Sequence, residues 1–587
     1  AVDFVEFYAR TALELQQAAA VRAQPTGTVV VISPWNFPIA IPCGGVAAAL
    51  AAGNTVILKP ASDTVLPARI LCECFWQAGV PREALQLTPC SGRDAEQYLL
   101  LDERISTAIL TGGTETAQRI LQVRPDLRLF AETGGKNATI VTGLSDRDMA
   151  IKNVLHSAFS HAGQKCSATS LLLLEEEVYL DRRFREALVD AAQSMHVGSV
   201  WDLRTKMGPL IRPPRGALAR GLKELEPGES WLLMPRDLED NPCLWSPGIK
   251  WDAQPGSFTH CTELFGPVLA VMPYRKLDQA IELVHQTGYG LTSGLETLDD
   301  REQQHWIERL RAGNLYVNRP TTGAIVLRQP FGGMGKSAFG PGIKAGGPNY
   351  VVPLMDYHDE QTRVDVEEGA PELEPLSQLW QQLASPATAA ARRVRQELGQ
   401  GDWSSLQRAL VDFDAFAREE IRQTHDTMRL LGQDNLRRYL PMSHIRIRLN
   451  PEDSWLDMLV RAAAVVAVGG RAAVSFSNDF PTERIDALEE LTAVWAGDME
   501  YILESDEALV DAIDAGQVDR LRYARPAVPL EVRWAADRQF VYVADMPISL
   551  TGRIELLWYV REQSVCIDYH RYGNLGFRAT EPRRAPL

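Results

Sequence analysis

At 587 residues the chain exceeds what one hydrophobic core organises, so roughly two to four domains are expected. Hydrophobic residues make up 45% and charged residues 23%, a soluble globular balance. The formal net charge of −16 excludes polyanionic partners, because neither nucleic acid nor an anionic membrane surface gains from an acidic protein.

The chain opens at Ala1 in a helix-like pattern, with neither an initiator methionine nor a signal peptide, and reads as a fragment of a longer polypeptide. Thr28 to Ile32 is expected as a buried strand, Cys43 to Ala52 as a helix and Thr55 to Leu58 as the next strand. The run from Phe37 to Leu58 is apolar, but Pro38, Pro42, Gly44, Gly45, Gly53 and Asn54 interrupt it, which favours a buried helix and strand over a membrane span. A helix from Leu66 to Ala78 ends at Gly79, a natural left-handed cap. Ile105 to Leu110 is a strand running into Thr111-Gly112-Gly113-Thr114-Glu115 and a helix, the strand–turn–helix succession of a mononucleotide-binding unit. Residues 1–358 therefore read as α/β with a largely parallel sheet. An acidic linker containing Val364 to Pro371 occupies 359–377, helical sequence follows over about 378–436, and a second α/β region runs to the end.

That second region reads as a degenerate internal repeat. At a constant offset of 416, Ala49 to Lys59 parallels Val465 to Ser475, and Asp63 falls on Asp479. Allowing for small length changes, Ile105 to Gly113 falls on Val518 to Pro526. Cysteine usage adds little structure: the eight cysteines are scattered, and Cys72 and Cys74 fit no zinc spacing, so a reduced, cytoplasmic chain without metal is expected.

The chemistry concentrates in two segments. Cys166 follows a Gly163-Gln164 turn, and Glu132 heads Glu132-Thr133-Gly134-Gly135-Lys136-Asn137. A thiol attacks as thiolate, and a second acid–base residue must then activate water against whatever the sulfur holds. Cys166 and Glu132 supply that pair. Alone, the cysteine would read as a small buried hydrophobe and the glutamate as a loop residue.

Residues 1–358 resemble an aldehyde dehydrogenase lacking roughly its first quarter. Five segments carry the resemblance in order: Pro34-Trp35-Asn36-Phe37-Pro38, Lys59-Pro60-Ala61-Ser62, Glu132-Thr133-Gly134-Gly135-Lys136, Gly163-Gln164-Lys165-Cys166 and Glu263-Leu264-Phe265-Gly266-Pro267. The fold so implied is α/β: a Rossmann-like NAD-binding domain over 1–132 with its N-terminal part missing, a catalytic α/β domain over 133–358, and a degenerate, non-catalytic dehydrogenase-like domain over 378–587. Cys166 would be the nucleophile, Asn36 with the Cys166 backbone N–H the oxyanion hole, and Glu132 the base. Lys59 would hold the adenine ribose and Glu263 the nicotinamide ribose, with Phe265 beside the ring. Trp35 would flank the pyrophosphate and Gly112-Gly113 would let a helix N-terminus approach it. Many NAD-preferring members carry glutamate where this chain has Ser62; serine removes its repulsion of a 2′-phosphate, so NAD is expected with NADP tolerated.

Asn318 to Gly333, together with Lys344-Ala345-Gly346-Gly347-Pro348-Asn349-Tyr350, resembles the glutamate-γ-semialdehyde (1-pyrroline-5-carboxylate) dehydrogenases, especially those fused to proline dehydrogenase in the proline utilization A family. The resemblance implies that backbone N–H groups at Gly323 and Ala324 anchor the substrate's α-carboxylate, with Ser167 adding a hydroxyl. It also implies a homo-oligomer and an upstream proline dehydrogenase, with no flavin in this chain. An aldehyde dehydrogenase for another small aldehyde is the alternative, with 378–587 as a structural or interaction region. There, Asn36 falls on Glu452, Lys59 on Ser475 and Gly112-Gly113 on Arg525-Pro526, residues unfit for the corresponding tasks. Cys566, in an alternating segment, reads as a buried strand cysteine.

Overall fold

The computed structural model describes residues 1–18, 20–360 and 369–583. Thr28–Ile32 is aliphatic on both faces, and Val29, Val30 and Val31 are buried, as in a central parallel strand. It pairs with Thr55–Lys59 on one side and Ile105–Thr111 on the other. Leu85–Leu87 continues the sheet beyond Thr55–Lys59; Arg128–Glu132 continues it beyond Ile105–Thr111, with Ala338–Phe339 added antiparallel at that edge. Strand order therefore reverses at Thr28–Ile32, and the crevice outside the carboxyl ends of these strands is where such sheets take ligands. The apolar run after Phe37 folds as the buried helix Ala40–Ala51 and the strand Thr55–Lys59. No helix among the described residues is long and apolar enough to cross a membrane.

A second sheet of nine strands has at its centre Asn137–Val141, flanked by Thr169–Glu175 and Thr292–Glu296. Only Thr133 to Lys136 separate the last strand of the first sheet from this central strand of the second.

The third sheet repeats the five parallel strands of the first. Ile445–Arg448, helix Trp455–Val468 and Ala472–Phe476 stand where Thr28–Ile32, Ala40–Ala51 and Thr55–Lys59 do at the 416 offset. Met499–Leu503, Arg520–Arg522 and Tyr542–Ala544 then take the places of Leu85–Leu87, Ile105–Thr111 and Arg128–Glu132, in the same spatial order. Even the helix stops agree: Gly53 and Gly469 both hold positive φ, at +85° and +73°.

One expectation changes. Helix does not continue to 436: it ends in the turn Ala417–Ile421, and Gln433–Pro441 is a strand. Asn435, Arg437 and Tyr439 alternate onto its buried face, so its inward side chains are largely polar and the period-2 signal is hidden. The C-terminal region also joins the second sheet. Gln433–Pro441 and Val560–Asp568 form an antiparallel ribbon, and Val560–Asp568 pairs in parallel with Asn314–Val317, so the ribbon extends the second sheet and covers its edge. Cys566 is buried in that ribbon strand, as expected. Of the acidic linker, residues 361–368 lie outside the described residues.

The third sheet is closed by buried ion pairs. Arg522 Nη2 donates to Glu555 Oε2 at 2.8 Å and Nε to Oε1 at 3.0 Å, while Tyr559 Oη also donates to Oε1 at 2.8 Å. Removing one partner leaves a buried charge uncompensated. Arg522→Met should therefore lower unfolding free energy by about 3–5 kcal/mol in chemical denaturation. Arg10→Met, at an exposed helical pair, should leave the midpoint unchanged.

Candidate active site

Glu132 is the last residue of its strand, and its carboxylate is held by Gly333, whose N–H donates to Oε2 at 2.9 Å. Burial pushes its carboxyl up to about 8, against the lowering effects of the nearby Lys344 ammonium and the Gly333 N–H. Such a group gains and loses its proton near neutrality, as a general base requires.

Cys166 arrives by a different route. Helix Arg147–Phe159 ends in the turn Ser160–Gly163, where His161, Ala162 and Gly163 have φ of +57°, +53° and +67°. Glycine is required at 163, since a Cβ there would lie 2.3 Å from the Gly266 carbonyl oxygen. Two side chains then fix the nucleophile's backbone. Asn36 Nδ2 donates to the Gln164 carbonyl at 3.2 Å, which aims its amide at the cysteine turn and leaves a second N–H. Asn137 Nδ2 donates to the Cys166 carbonyl at 2.6 Å and to that of Ala168 at 2.9 Å. Sequence reasoning quoted Asn137 but gave it no role. It stands five residues after Glu132, and in that position it joins the two catalytic segments.

Glu263 enters from the loop after Cys261. Its Oε1 accepts the Gly135 N–H at 2.7 Å, and a Cβ on Gly134 would sit 2.1 Å from Oε2, so the Gly-Gly pair makes room for this carboxylate. Burial pushes Glu263 up to about 7, against Gly135 N–H and Lys136. Burial likewise pushes the Cys166 thiol up to about 12, with the Glu263 and Glu132 carboxylates adding to the effect. The cysteine therefore rests as thiol.

Cys166, Ser167, Glu132, Gly323, Ala324 and Gln329 line one cavity of about 210 Å³, with Ser33, Thr111, Thr133 and Tyr350 among its otherwise apolar walls. Gly323 has φ of +92° and sits at its exposed lip with Ala324. Gln329, which sequence reasoning passed over, is buried and shapes this loop: its Oε1 accepts the Ile325 N–H at 3.1 Å. Ser167 is buried, and its carbonyl accepts from Thr321 Oγ1 at 2.9 Å.

The remaining candidates line the adjoining crevice of the first sheet. Trp35 and Phe265 meet edge-on with ring centroids 5.7 Å apart, Phe265 held at φ +55°. Lys59 is half-buried at the end of its strand, its Nζ donating to the Pro60 carbonyl at 3.4 Å, and Ser62 is exposed at the start of the next turn. Gly112 N–H donates to the Glu132 carbonyl, so that glycine serves close approach and not donation. Gly113 opens the ten-residue helix Thr114–Val123, which has no side-chain cap, and a Cβ on Gly113 would meet nothing within 4 Å. An uncapped helix N-terminus over open space, with an aromatic pair and a strand-end lysine, fits a dinucleotide.

The third sheet's corresponding crevice is filled by its own side chains. Ser475 is buried and accepts from Arg448 Nη1 at 2.8 Å, and Arg525, at the place of Gly112, donates to Asp457 at 3.1 Å and to the Glu452 carbonyl at 3.3 Å.

One consequence of this electrostatics is measurable. Without cofactor, Cys166 should alkylate slowly at pH 8, and more slowly than the exposed Cys74. Glu263→Gln, by removing a nearby negative charge that raises the thiol's pKa, should speed Cys166 labelling several-fold. Peptide mass spectrometry after timed iodoacetamide treatment reads both sites.

The geometry agrees with known proteins. The aldehyde dehydrogenase family model matches residues 1–357. Over 376 residues the chain is 36% identical to the 1-pyrroline-5-carboxylate dehydrogenase of Geobacillus thermodenitrificans, covering 60% of this chain and 72% of that one. It is 33% identical over 558 residues to the bifunctional protein PutA of Salmonella typhimurium, which takes in 90% of this chain but 40% of that protein. Among solved structures, proline utilization A of Corynebacterium freiburgense superposes with a TM-score of 0.80 at 35% identity, over 98% of this chain and 53% of that one. A Thermus 1-pyrroline-5-carboxylate dehydrogenase with bound NAD superposes with a TM-score of 0.57 at 31% identity, over 61% of this chain and 72% of that one. That family model spans well over half of the 587 residues, and the chain belongs to the aldehyde dehydrogenase family.

Proposed function

We propose that this chain oxidises L-glutamate γ-semialdehyde, the open form of 1-pyrroline-5-carboxylate, to L-glutamate with NAD. The observation that carries the reading is that Cys166, Glu132, Ser167 and the Gly323–Ala324 loop share one cavity. A thiol, a carboxylate and backbone groups suited to a substrate carboxylate, all lining one cavity, support this reading. The names of the similar dehydrogenases support the same substrate. On this reading 1–132 is the NAD-binding domain, 133–358 the catalytic domain and 378–587 a non-catalytic unit that covers the sheet edge.

In the mechanism, Cys166 Sγ adds to the aldehyde carbon and its proton leaves to solvent. The new oxyanion is met by the second Asn36 N–H and the Cys166 backbone N–H. Trp35, Lys59, Ser62, Gly113, Glu263 and Phe265 would hold NAD, which supplies the two-electron acceptor for the hydride; Ser62 leaves room for NADP. Glu132 then takes a proton from water as it attacks the thioester carbonyl, releasing glutamate and returning the thiol. The matches to PutA proteins support a place beside an upstream proline dehydrogenase, as the second step of proline catabolism. No catalytic role is assigned to 378–587, because its equivalent crevice is filled by Arg448 and Arg525.

Cys166→Ala should abolish turnover and leave NAD binding, one per chain by titration calorimetry, intact. Glu132→Gln should keep a single-turnover NADH burst while slowing steady-state release. Ser167→Ala should cost on the order of 1 kcal/mol in kcat/KM for the semialdehyde and much less for propionaldehyde. Equal losses for both aldehydes would show that Ser167 serves the nucleophile and not the carboxylate anchor.

A further inference from the structure

The ribbon that covers the second sheet's edge also reaches the base. Glu562, on Val560–Asp568, is fully buried. Its Oε2 accepts the backbone N–H of Lys344 at 3.0 Å, and its Oε1 accepts Asn349 Nδ2 at 2.9 Å. Lys344 is equally buried. Its Nζ donates to the Gly332 carbonyl at 2.8 Å, to Asn314 Oδ1 at 3.3 Å and to the Gly313 carbonyl. Three acceptors suit the three protons of an ammonium, the form that this nitrogen's surroundings are built to hold. The Gly332 carbonyl and the Gly333 N–H belong to one peptide group. Lys344 therefore pulls on the oxygen of the same peptide whose N–H donates to Glu132 Oε2 at 2.9 Å. Such polarisation strengthens the N–H bond to the carboxylate.

The packing leaves little freedom along this path. A Cβ on Gly332 would lie 2.7 Å from Glu132 Oε1 and 3.2 Å from Lys344 Cγ, and one on Gly313 would lie 1.8 Å from the Gly332 carbonyl oxygen. Neighbouring Ser564, from the same ribbon strand, donates its N–H to the Gly313 carbonyl at 2.9 Å. On the far side Asn349 Nδ2 donates to Tyr439 Oη at 2.7 Å, and Arg437 Nη1 donates to Tyr439 Oη and to Glu420, each at 2.5 Å. The groups facing Lys344 are Glu132 and Glu562; those facing Glu132 are Lys344, Cys166 and Tyr350; those facing Glu562 are Lys344, Arg437, Tyr439 and Tyr8.

We propose that Glu562 is a positioning residue for the active-site base: it holds Lys344, and Lys344 holds and polarises the Gly332–Gly333 peptide that binds Glu132. The C-terminal region, itself without a catalytic group, thus helps to position the base through one carboxylate, in addition to covering an edge. This rests on Glu132 being the base. The sign follows from the surroundings. Burial lowers the pKa of Lys344 and the two carboxylates raise it, so loss of the Glu562 charge lets Lys344 give up its proton at lower pH. Glu132 then loses the cation that favours its ionised form, and its pKa rises.

The test uses the full chain with NAD and the semialdehyde. Glu562→Gln keeps the shape and removes the charge. It should move the acid limb of steady-state turnover up by about one pH unit, with the NADH burst at high pH unchanged. Glu562→Asp, which keeps the charge, should stay within about 0.3 unit of wild type. Lys344→Met should shift the limb at least as far as Glu562→Gln, and adding Glu562→Gln to it should shift nothing more. The proposal is overturned by a Glu562→Gln profile that superimposes on wild type, by equal shifts in the Gln and Asp variants, or by a burst that falls together with turnover. Should Glu562→Gln fail to fold, Asn349→Ala, which frees Oε1 alone, is expected to give a smaller upward shift; no shift there overturns the proposal. The wild-type burst tests the assigned reaction separately. If that burst is absent, an infrared titration of the Glu132 carboxyl, identified by its loss in Glu132→Gln, still reads the expected shift in Glu562→Gln.

Discussion

The active site depends on the crossing between two sheets. Thr133 to Lys136 are all that separate the last residue of the strand Arg128–Glu132 from the first of Asn137–Val141. Over that distance the chain must leave one sheet, enter another, admit Glu263 and pass the nucleophile. A side chain at Gly134 would strike Glu263, and one at Gly135 would lie 3.0 Å from the Cys166 carbonyl oxygen. Asn137, immediately after, grips that same carbonyl. Glu132, Cys166 and Glu263 thus come together because one short connection is stripped of side chains. The elevated pKa values of all three follow from the burial this imposes.

The duplicated sheet shows the same scaffold with its chemistry removed. Strand order and helix stops survive, while the crevice at the carboxyl ends is filled by arginines paired to carboxylates or to Ser475. A fold outlives its site because the two rest on different residues: aliphatic strands and glycine stops keep the sheet, whereas an amide, a lysine and a bare glycine turn make the site. The retained unit then serves by what it inserts. Its ribbon lengthens the second sheet past Asn314–Val317 and brings Glu562 behind the base.

Much of the site was legible in the sequence because its chemistry is local. Glu132, Cys166 and Glu263 each sit in a short motif whose glycines are dictated by nearby contacts. The repeat was legible for the same reason: alternating helix and strand at fixed spacing need no knowledge of partners. The ribbon was not. Gln433–Pro441 directs Asn435 and Arg437 inward, so its alternation places polar groups where a strand's apolar face is sought, and the adjoining helix was read through it. Its partner Val560–Asp568 does alternate, but nothing local says that it pairs with Asn314–Val317, some 250 residues earlier. Lys344 heads a recognisable motif, but its part is hidden in the sequence because its Nζ is bound chiefly by backbone carbonyls, which leave no mark in a side-chain pattern.

The central claim is that Cys166 carries the oxidised substrate until Glu132 sends water against it. Quenching Glu132→Gln during turnover of the semialdehyde with NAD, followed by peptide mass spectrometry, tests this most directly. The account predicts a glutamyl adduct confined to the Cys166 peptide, absent when NAD is omitted and absent in the wild type after substrate is exhausted. An adduct on another residue, or turnover of Glu132→Gln at the wild-type rate with no adduct, would contradict it.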